Sequence, residues 1–499
     1  MKAWIDGLRE RLTRQRPARD LLILVAVAGP SFFLNLGGNE ASHIKEARVL
    51  ETSREMLSRG DLWVPYFDGA PRFEKPPLAY WLCILGFKAV GEPTEAGGRI
   101  YSAAAGLLTV LILYAFGRSL GRPRVGLWAG LLLSTCILFF RGARHAELDV
   151  LLTLGVTAAV YAFWRALELP AERRGARIGW IVLGGSTAGF AFLAKQSGPA
   201  FIVCVLGAHL LLVRRWSGFR LLFHPLGIAA FLAVAAPWYV GIALGEDLAF
   251  EKFVSEARTA MEGRGHGPSG VFVAVFYHFL HVWPMFLPWS LALPFAVPAA
   301  CRAERRTGPE RIFLAWASAI LGALLFVLQK QEHYLMPVMP ALAWLSAAWL
   351  VETAPRTRVL NGRRAAVLRS SVLAAACVVA LVVIFVPDFA GRRSRSCRAF
   401  AGAASKLVGD RPLFTTGLRN ETRTLLQFHM GRLIAPLDDA ALDSSLQGGG
   451  PPFLIVPARG PDGGANRRSS SRCGSVLHES RELRLVGRST RDGKEAAAP

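Results

Sequence analysis

Acidic and basic side chains are concentrated in this chain at a few places where long apolar runs end. The richest is the segment NEASHIKEARVLETSREMLSRGDLWVPYFDGAPRFEKPP, residues 39–77, which directly follows an apolar run. Lysine and arginine can hold a phosphate group through charge-assisted hydrogen bonds. A nearby carboxylate can accept the proton of a reacting hydroxyl group. The segment therefore contains the residue types needed to bind a phosphate and activate a hydroxyl.

Further charged side chains stand at the ends of other apolar runs. They are Asp149 in RHAELD, Lys195 in FLAKQSG, and Lys330 and His333 in KQEHYLMPVMP. Ionisable residues are costly inside a bilayer and usually face a water-filled cavity or a partner. Two alternatives need no functional site. Asp149 could cap the N-terminus of a helix, and Lys195 could extend its ammonium group to the membrane surface.

The apolar runs identify the class of protein. The 499-residue sequence is 52% hydrophobic, with a mean hydropathy of +0.34. Many runs reach the roughly 17–25 residues that cross a bilayer. About eleven spans are predicted, at 21–37, 100–117, 125–141, 149–166, 178–194, 198–213, 222–243, 271–299, 312–328, 334–351 and 366–387. The shorter run at 77–91 is predicted to be a juxtamembrane or re-entrant helix, with a further span as the alternative. The predicted fold is thus mostly α, a polytopic helical membrane protein of about 11–13 spans.

The distribution of arginine predicts the orientation. The N-terminal tail, residues 1–20, carries six lysine and arginine residues and is placed in the cytoplasm. With the spans alternating, the arginine-rich loops then all lie inside, as the positive-inside rule requires. The outer loops 38–99 and 245–270 carry mixed charge. This pattern predicts a bacterial-type inner-membrane protein and accounts for the net charge of +22, so we predict no nucleic-acid partner.

The charged segments therefore meet on the outer face. Residues 44–59 are predicted to form an amphipathic helix lying on the membrane, and an ordinary surface helix with charge pairs is the alternative. The two prolines of RFEKPP stiffen the chain and fix Glu74 and Lys75 in place. With Arg48, Lys330 and His333, they predict a polar cavity that opens outward and binds a lipid-borne phosphate.

The composition of the sequence changes after the last predicted span. Short strand-like runs between turn signals predict a small α/β domain over residues 388–460, on the outer side. Residues 461–499 are rich in Gly, Ser and Arg and are predicted to be a polar, partly disordered tail. The domain organisation is then a cytoplasmic tail to residue 20, a membrane domain over 21–387, the small domain and the tail.

The order ETSREMLSRGDLWVPYFDGAPRFEKPPLAYW, HAELD, LAKQSGPA, KQEHYLMPVMPALA resembles the GT-C glycosyltransferases. It is most similar to the branch that holds the protein O-mannosyltransferases and the bacterial aminoarabinose transferase of lipid A. The resemblance covers roughly residues 20–350, and FEKPP is its strongest single match. It implies a polyprenyl-phosphate sugar as donor and an acidic catalytic base in the first outer loop. It also implies that Lys75 and Lys195 serve the donor phosphate and that Asp149 is a second acid of the cavity.

The chain departs from this pattern at the catalytic acid. The family usually has Asp-Glu just before the amphipathic helix, with the Asp catalytic. Counting back from SREML without gaps places Lys45-Glu46 there, whereas an insertion of about six residues would place Asn39-Glu40 there. Either register loses the Asp and keeps a Glu, so Glu46 and Glu40 are the alternative candidates for the base.

The family's metal site is altered as well. Glu74 matches a metal-binding acid, but Ala257 stands where a His is common. His266 is the candidate substitute, so a divalent metal ion stays an open alternative.

Three functions are compatible with these residues. The first is a membrane glycosyltransferase that moves a sugar, with inversion, from a polyprenyl-phosphate donor to a lipid or protein acceptor. The second is a non-catalytic glycolipid-binding relative, which the missing Asp motivates. The third is a lipid or sugar transporter, although transporters tend to show repeats and helices broken near mid-membrane, and neither is evident here.

Overall fold

The computed structural model describes most of the membrane domain and of the small domain. It covers residues 17–356 except 42, 171, 246–250, 252–267, 303–309 and 328–329; it also covers scattered positions between 364 and 381, and residues 396–487 except 448–451, 459–474 and 481. His266 and most of the span predicted at 366–387 lie outside these described residues.

Helices dominate the described chain. They are α1 (Pro17–Phe33), α2 (Ile44–Arg59), α3 (Leu78–Val90), α4 (Glu95–Ser119), α5 (Pro123–Thr135), α6 (Ile137–Gly142), α7 (Leu148–Glu168), α8 (Arg174–Ala194), α9 (Gly198–Leu212), α10 (Phe219–Leu222), α11 (Pro225–Gly245), α12 (Pro268–Met285), α13 (Leu293–Cys301), α14 (Glu310–Leu325), α15 (Met339–Ala348), α16 (Ser396–Val408), α17 (Asn420–Met430) and α18 (Asp439–Gln447). Short 3-10 turns lie at Trp216–Gly218, Trp289–Ala292, Glu332–Val338 and Ala354–Arg356, and a π-helical turn lies at Trp349–Thr353.

The apolar helices follow the predicted spans. Among the described residues, five helices are long and apolar enough to cross a membrane, or six if one bent pair counts as a span. This is fewer than the eleven spans predicted, partly because the helices at 198–213 and 312–328 are shorter than predicted and the span predicted at 125–141 is divided between α5 and α6. The single span predicted at 271–299 is broken near Pro288 and turns by 111°. Proline removes a helix hydrogen bond and clashes with the preceding turn, which accounts for the break. α3, predicted as a re-entrant or juxtamembrane helix, is one of the shorter apolar helices.

Helix α2 has the predicted bounds but different surroundings. It ends where Gly60 takes a left-handed conformation and donates its N–H to the Leu57 carbonyl oxygen. The helix does not lie on the membrane surface, since its apolar Val49 and Met56 and its charged residues Glu46, Glu51, Arg54 and Glu55 are all buried by protein. Buried charges need partners within the fold, so most of α2 is packed within the protein.

Two small sheets complete the fold. Strands β1 (Tyr66–Phe67) and β2 (Ala70–Pro71) form an antiparallel hairpin after α2. The small domain carries a five-stranded sheet in the order β4-β3-β5-β7-β6. Its strands are β3 (Phe414–Thr415), β4 (Ala435–Pro436), β5 (Phe453–Pro457), β6 (Ser475–Glu479) and β7 (Leu483–Gly487).

The small domain is longer than predicted. β7 pairs antiparallel with both β5 and β6, yet β6 and β7 lie in the segment predicted to be a polar, partly disordered tail. β7 is mostly buried, with Leu483, Leu485 and Val486 in the core. The boundary predicted at residue 460 is therefore too early, because β7 follows a stretch rich in Gly, Ser and Arg and is held in the sheet by pairing with the distant strand β5.

Candidate active site

A cavity of about 700 Å³ lies where several segments predicted to be on the outer face converge. Its walls come from α2, the β1–β2 hairpin, the approach to α3, the first turn of α7, the residue after α8 and the 3-10 turn before α15. The residues that line it are Lys45, Arg48, Val49, Phe67, Ala70, Pro71, Arg72, Glu74, Lys75, Tyr80, Leu148, Asp149, Lys195, Gln331, His333 and Tyr334. Five sequence segments, far apart along the chain, thus share one cavity.

The cavity lining is strongly basic. Its described residues include five cationic side chains and two carboxylates, an excess of three positive charges with histidine neutral. Each carboxylate already contacts a cation, Glu74 with Arg72 at 2.9 Å and Asp149 with Lys195 at 2.9 Å. The lining therefore favours a ligand with several negative charges, such as a phosphate ester.

Asp149 stands in the first turn of α7 and is buried. One of its oxygens accepts a hydrogen bond from Lys195 Nζ at 2.9 Å, and the other lies 3.7 Å from His333 Nε2. The Lys195 ammonium also lies 4.4 Å from the centre of the Tyr334 ring, a cation–π contact. Two segments distant in the chain, one with Lys195 and one with His333 and Tyr334, thus orient the Asp149 carboxylate, which is more than a helix cap requires.

Lys45 occupies the cavity side of α2. Its ammonium group donates to the side-chain oxygen of Gln331 and lies 3.1 Å from Nδ1 of His333. Burial lowers the pKa of Lys45, and the nearby Asp149 opposes that shift. At the position where related sequences carry an acid, this chain therefore presents a cation to the cavity.

Arg48, one turn after Lys45 on α2, and Arg72 line the cavity next to the hairpin. Their guanidinium groups lie 5.9 and 5.5 Å from the centre of the Phe67 ring. Burial and the neighbouring Arg72 lower the pKa of Arg48. Lys75 also lines the cavity, directly after Glu74.

Glu46 does not line the cavity. It is completely buried, and its Oε1 accepts hydrogen bonds from Arg99 Nε at 2.7 Å and from the Ala146 N–H at 3.0 Å. Burial by itself would raise the pKa of Glu46, but Arg99, His145 and the Ala146 N–H outweigh it and lower the pKa from 4.5 to about 2. This buried carboxylate joins α2 to α4 and to the segment just before α7.

Glu40 also points elsewhere. It accepts a hydrogen bond from the Arg398 N–H, at 3.0 Å, in the small domain. Burial raises the pKa of Glu40. Therefore neither Glu46 nor Glu40, the two candidates for the base from the sequence analysis, reaches the cavity.

Among the other predicted residues, Lys330 lies outside the cavity lining. Lys330 Nζ donates to the carbonyl oxygen of Leu324 at 2.6 Å and so caps the C-terminus of α14. Glu74 is engaged with Arg72, and the predicted second metal ligand, His266, lies outside the described residues. Within the described part of the chain, no group of three or more His, Cys, Asp or Glu side chains is placed to hold a metal ion.

Replacing Glu46 by glutamine is expected to destabilise the protein, because Arg99 would be left buried without its counter-charge. The expected loss in the free energy of unfolding is about 3 kcal/mol. Because the pKa of Glu46 in the fold, about 2, is below its ordinary value of 4.5, the pair stabilises fully above pH 4.5. That contribution is lost as the pH falls from 4.5 towards 2.

Thermal unfolding in detergent between pH 7 and pH 3 measures this effect. Glu92→Gln is the matched control, since Glu92 is exposed. An unchanged unfolding temperature in Glu46→Gln, combined with lost activity, would instead support the role of Glu46 as catalytic base.

Sequence reasoning missed Arg99, Gln331 and Tyr334. Arg99 stands in the first turns of a spanning helix, where a buried arginine requires an acid partner. Gln331 and Tyr334 lie in the same segment as His333. In that segment, only the charged residues Lys330 and His333 were predicted to belong to the site.

Known proteins resemble this chain in sequence and in fold. Residues 74–240 match the model of the family described as dolichyl-phosphate-mannose-protein mannosyltransferase. That range contains Glu74, Lys75, Asp149 and Lys195. The computed structure resembles the crystal structure of ArnT from Cupriavidus metallidurans bound to undecaprenyl phosphate, with a TM-score of 0.79 and 22% identity over 96% of this chain and 99% of that one. It also resembles the archaeal oligosaccharyltransferase AglB from Archaeoglobus fulgidus, with a TM-score of 0.55 and 11% identity over 88% and 69% of the two chains.

Curated relatives agree with this fold. The undecaprenyl phosphate-alpha-4-amino-4-deoxy-L-arabinose arabinosyl transferase of Edwardsiella ictaluri is 31% identical over 313 residues, which are 61% of this chain and 54% of the relative. The enzyme of the same name from Pseudomonas aeruginosa is 34% identical over 62% of this chain and 55% of the relative. The chain is thus similar in sequence to these arabinosyl transferases and has the fold of ArnT. The fold class predicted from the sequence is thereby confirmed, and the chain is a multi-pass membrane protein. It spans a little more than half the length of these two relatives.

Proposed function

We propose that this GT-C protein is a glycosyltransferase that moves a sugar from a polyprenyl-phosphate donor to an acceptor on the extracytoplasmic side. The observation that carries the proposal is the basic cavity, which has an excess of three positive charges around one oriented carboxylate. Such a site is suited to a lipid phosphate whose hydrocarbon tail stays in the bilayer.

The relatives support a polyprenyl-phosphate donor. Two of them are named for an undecaprenyl-phosphate sugar, and the most similar solved fold among those described above was crystallised with undecaprenyl phosphate. We assign Lys75, Lys195 and Arg48 to the donor phosphate. Lys45 adds a further positive charge beside Asp149 and strengthens the case for an anionic ligand.

We propose Asp149 as the general base. In the proposed step, an oxygen of the acceptor hydroxyl forms a bond to the anomeric carbon of the sugar. The bond from that carbon to the phosphate oxygen breaks, and the lipid phosphate leaves with the electron pair. The hydroxyl proton passes to Asp149, and attack from the opposite face inverts the anomeric carbon. Among the described lining residues, Asp149 and Glu74 are the two carboxylates, and Glu74 lies at the hairpin side with Arg72.

The second candidate function is glycolipid binding without turnover. Its motivation is Lys45, which stands where the family usually has its catalytic Asp and which bonds to Gln331 and His333. A protein of this kind would keep the donor affinity of the cavity and lack transfer.

Sugar transfer in proteoliposomes distinguishes the two functions. Wild-type protein is supplied with labelled polyprenyl-phosphate sugars and with envelope lipids and proteins as acceptors. Asp149→Asn is expected to lower transfer by about 100-fold to 10,000-fold while donor binding persists, because loss of a general base acts on the chemical step. Glu40→Gln tests the alternative base in the first loop and is expected to transfer at the wild-type rate, because Glu40 bonds to the Arg398 N–H of the small domain.

Two outcomes would contradict the proposal. Donor binding by the wild type without any transfer would favour the glycolipid-binding function. Transfer lost in Glu40→Gln and kept in Asp149→Asn would move the base to the first loop.

The orientation is also part of the proposal. The arginine-rich loops indicate a cytoplasmic N-terminus and a cavity on the outer side of the inner membrane. Single-cysteine labelling at an exposed loop position on each side, with an impermeant reagent, tests this topology.

A further inference from the structure

The β1–β2 hairpin is a small element that supplies three of the residues lining the cavity. Its strands contain two residues each, and Phe67, Ala70 and Pro71 line the cavity. A two-stranded hairpin is only marginally stable alone in water. Its position therefore depends on contacts with the rest of the protein, and those made at its turn come from two different parts of the chain.

The turn of the hairpin is held on one side by α2. Asp68 takes a left-handed backbone conformation with φ of 58°, which aspartate tolerates better than most residues. The N–H groups of Asp68 and Gly69 donate to the two oxygens of Glu55, at 2.7 and 3.0 Å. Glu55 is buried in α2, so this half of the attachment is internal to the membrane domain.

The other side of the turn is held by the small domain. Arg423 of α17 donates two hydrogen bonds to the Asp68 carboxylate, at 2.9 and 2.7 Å, and Gln427 donates a third at 3.0 Å. Burial would raise the pKa of Asp68, but these donors outweigh it and lower the pKa. A two-pronged arginine–carboxylate contact fixes direction as well as distance.

The hairpin in turn arranges cations of the cavity. Phe67 is next to Asp68 in the chain, and its ring lies under the guanidinium groups of Arg48 and Arg72. Arg72 also follows β2 and bonds to Glu74. A displacement of the turn would therefore move the aromatic face on which two of the five cavity cations rest.

We propose that Arg423 is a positioning residue for the donor site, through which the small domain fixes the hairpin and with it the Arg48–Phe67–Arg72 wall. The inference rests on the proposed function for its ligand, and the hairpin contact itself can be tested without any transfer.

The test uses full-length protein in detergent or nanodiscs and compares Arg423→Ala with Arg432→Ala. Arg432 is a matched control in the same domain, because its guanidinium donates only to the backbone carbonyls of Gly409 and Arg411 among the described contacts. Hydrogen–deuterium exchange of peptides covering residues 62–72 measures the hairpin. Binding of undecaprenyl phosphate and the KM for the donor measure the cavity.

Arg423→Ala is expected to speed exchange in residues 66–70 by about ten-fold and to raise the donor KM by a similar factor, with kcat changed much less. Arg432→Ala is expected to change neither quantity. Arg423→Lys should restore part of the protection, since it keeps one charged donor. Asp68→Asn should resemble Arg423→Ala, and combining the two should add little, because both remove the same contact.

Wild-type exchange over residues 62–72 in Arg423→Ala would overturn the proposal. Equal effects of Arg423→Ala and Asp68→Asn that add fully in the double variant would also overturn it. If Arg423→Ala does not fold, Asp68→Asn alone decides, through the same exchange measurement. Absence of transfer in the wild type would count against the proposed function, whereas the exchange result would still stand.

Discussion

Replacing Lys75 by alanine is expected to reduce sugar transfer by at least about 100-fold while the protein still inserts and folds. Lys75 lines the cavity. In the chain it lies between Glu74 and the two prolines that precede α3. A lysine that holds the phosphate also stabilises the charge that develops when the phosphate leaves. Transfer assays in proteoliposomes and binding of undecaprenyl phosphate measure the effect.

The control for Lys75→Ala is Lys88→Ala. Lys88 lies in the last turn of α3 and is exposed, outside the cavity lining. The Lys88→Ala substitution removes the same charge at a nearby position in the sequence. It is expected to leave sugar transfer and the binding of undecaprenyl phosphate unchanged. Near-normal turnover in Lys75→Ala would end the role assigned to Lys75 at the donor phosphate.

Replacing Lys195 by methionine should produce the second large effect, on both stability and activity. The change keeps the length of the side chain and leaves the buried Asp149 without its 2.9 Å ammonium partner. Breaking a buried ion pair from one side costs about 3–5 kcal/mol, because the remaining charge stays desolvated. We expect a clearly lower unfolding temperature and no measurable transfer.

The double variant Lys195→Met/Asp149→Asn separates structure from function. Removing both charges should restore most of the stability, since no unpaired charge remains, but transfer should stay absent. Recovery of transfer together with stability would reduce the pair to a structural role. Arg215→Met is the control, because it breaks the exposed pair between Arg215 and Glu168 at the other end of α7, where a loss below about 1 kcal/mol is expected.

Local sequence features predicted much of the membrane domain. The lengths of the apolar runs located the helices, since a span must bury about 20 apolar residues. The spacing of charged and apolar residues predicted both ends of α2, and the structure shows that it stops at Gly60. The charges at the ends of the runs predicted that Lys75, Asp149, Lys195 and His333 would meet on one face, and all four line one cavity.

Which way neighbouring side chains point was decided only by tertiary packing. Lys45 and Glu46 are adjacent on α2, and each residue of a helix is turned by about 100° from the one before it. Lys45 consequently enters the cavity, whereas Glu46 turns towards Arg99 of α4, which is 53 residues away in the chain. No local pattern identifies the partner that a buried carboxylate will find at such a distance.

The same reason accounts for the small domain and its contact with the hairpin. β7 is held in the sheet by β5, and Asp68 is held by Arg423, which is 355 residues away. The sequence by itself determined that the chain is a helical membrane protein with a charged outer site, because hydropathy and charge are local properties of segments. The tertiary structure alone decided which carboxylate faces the cavity and which element supports its wall, because those depend on how distant helices rotate and pack against one another.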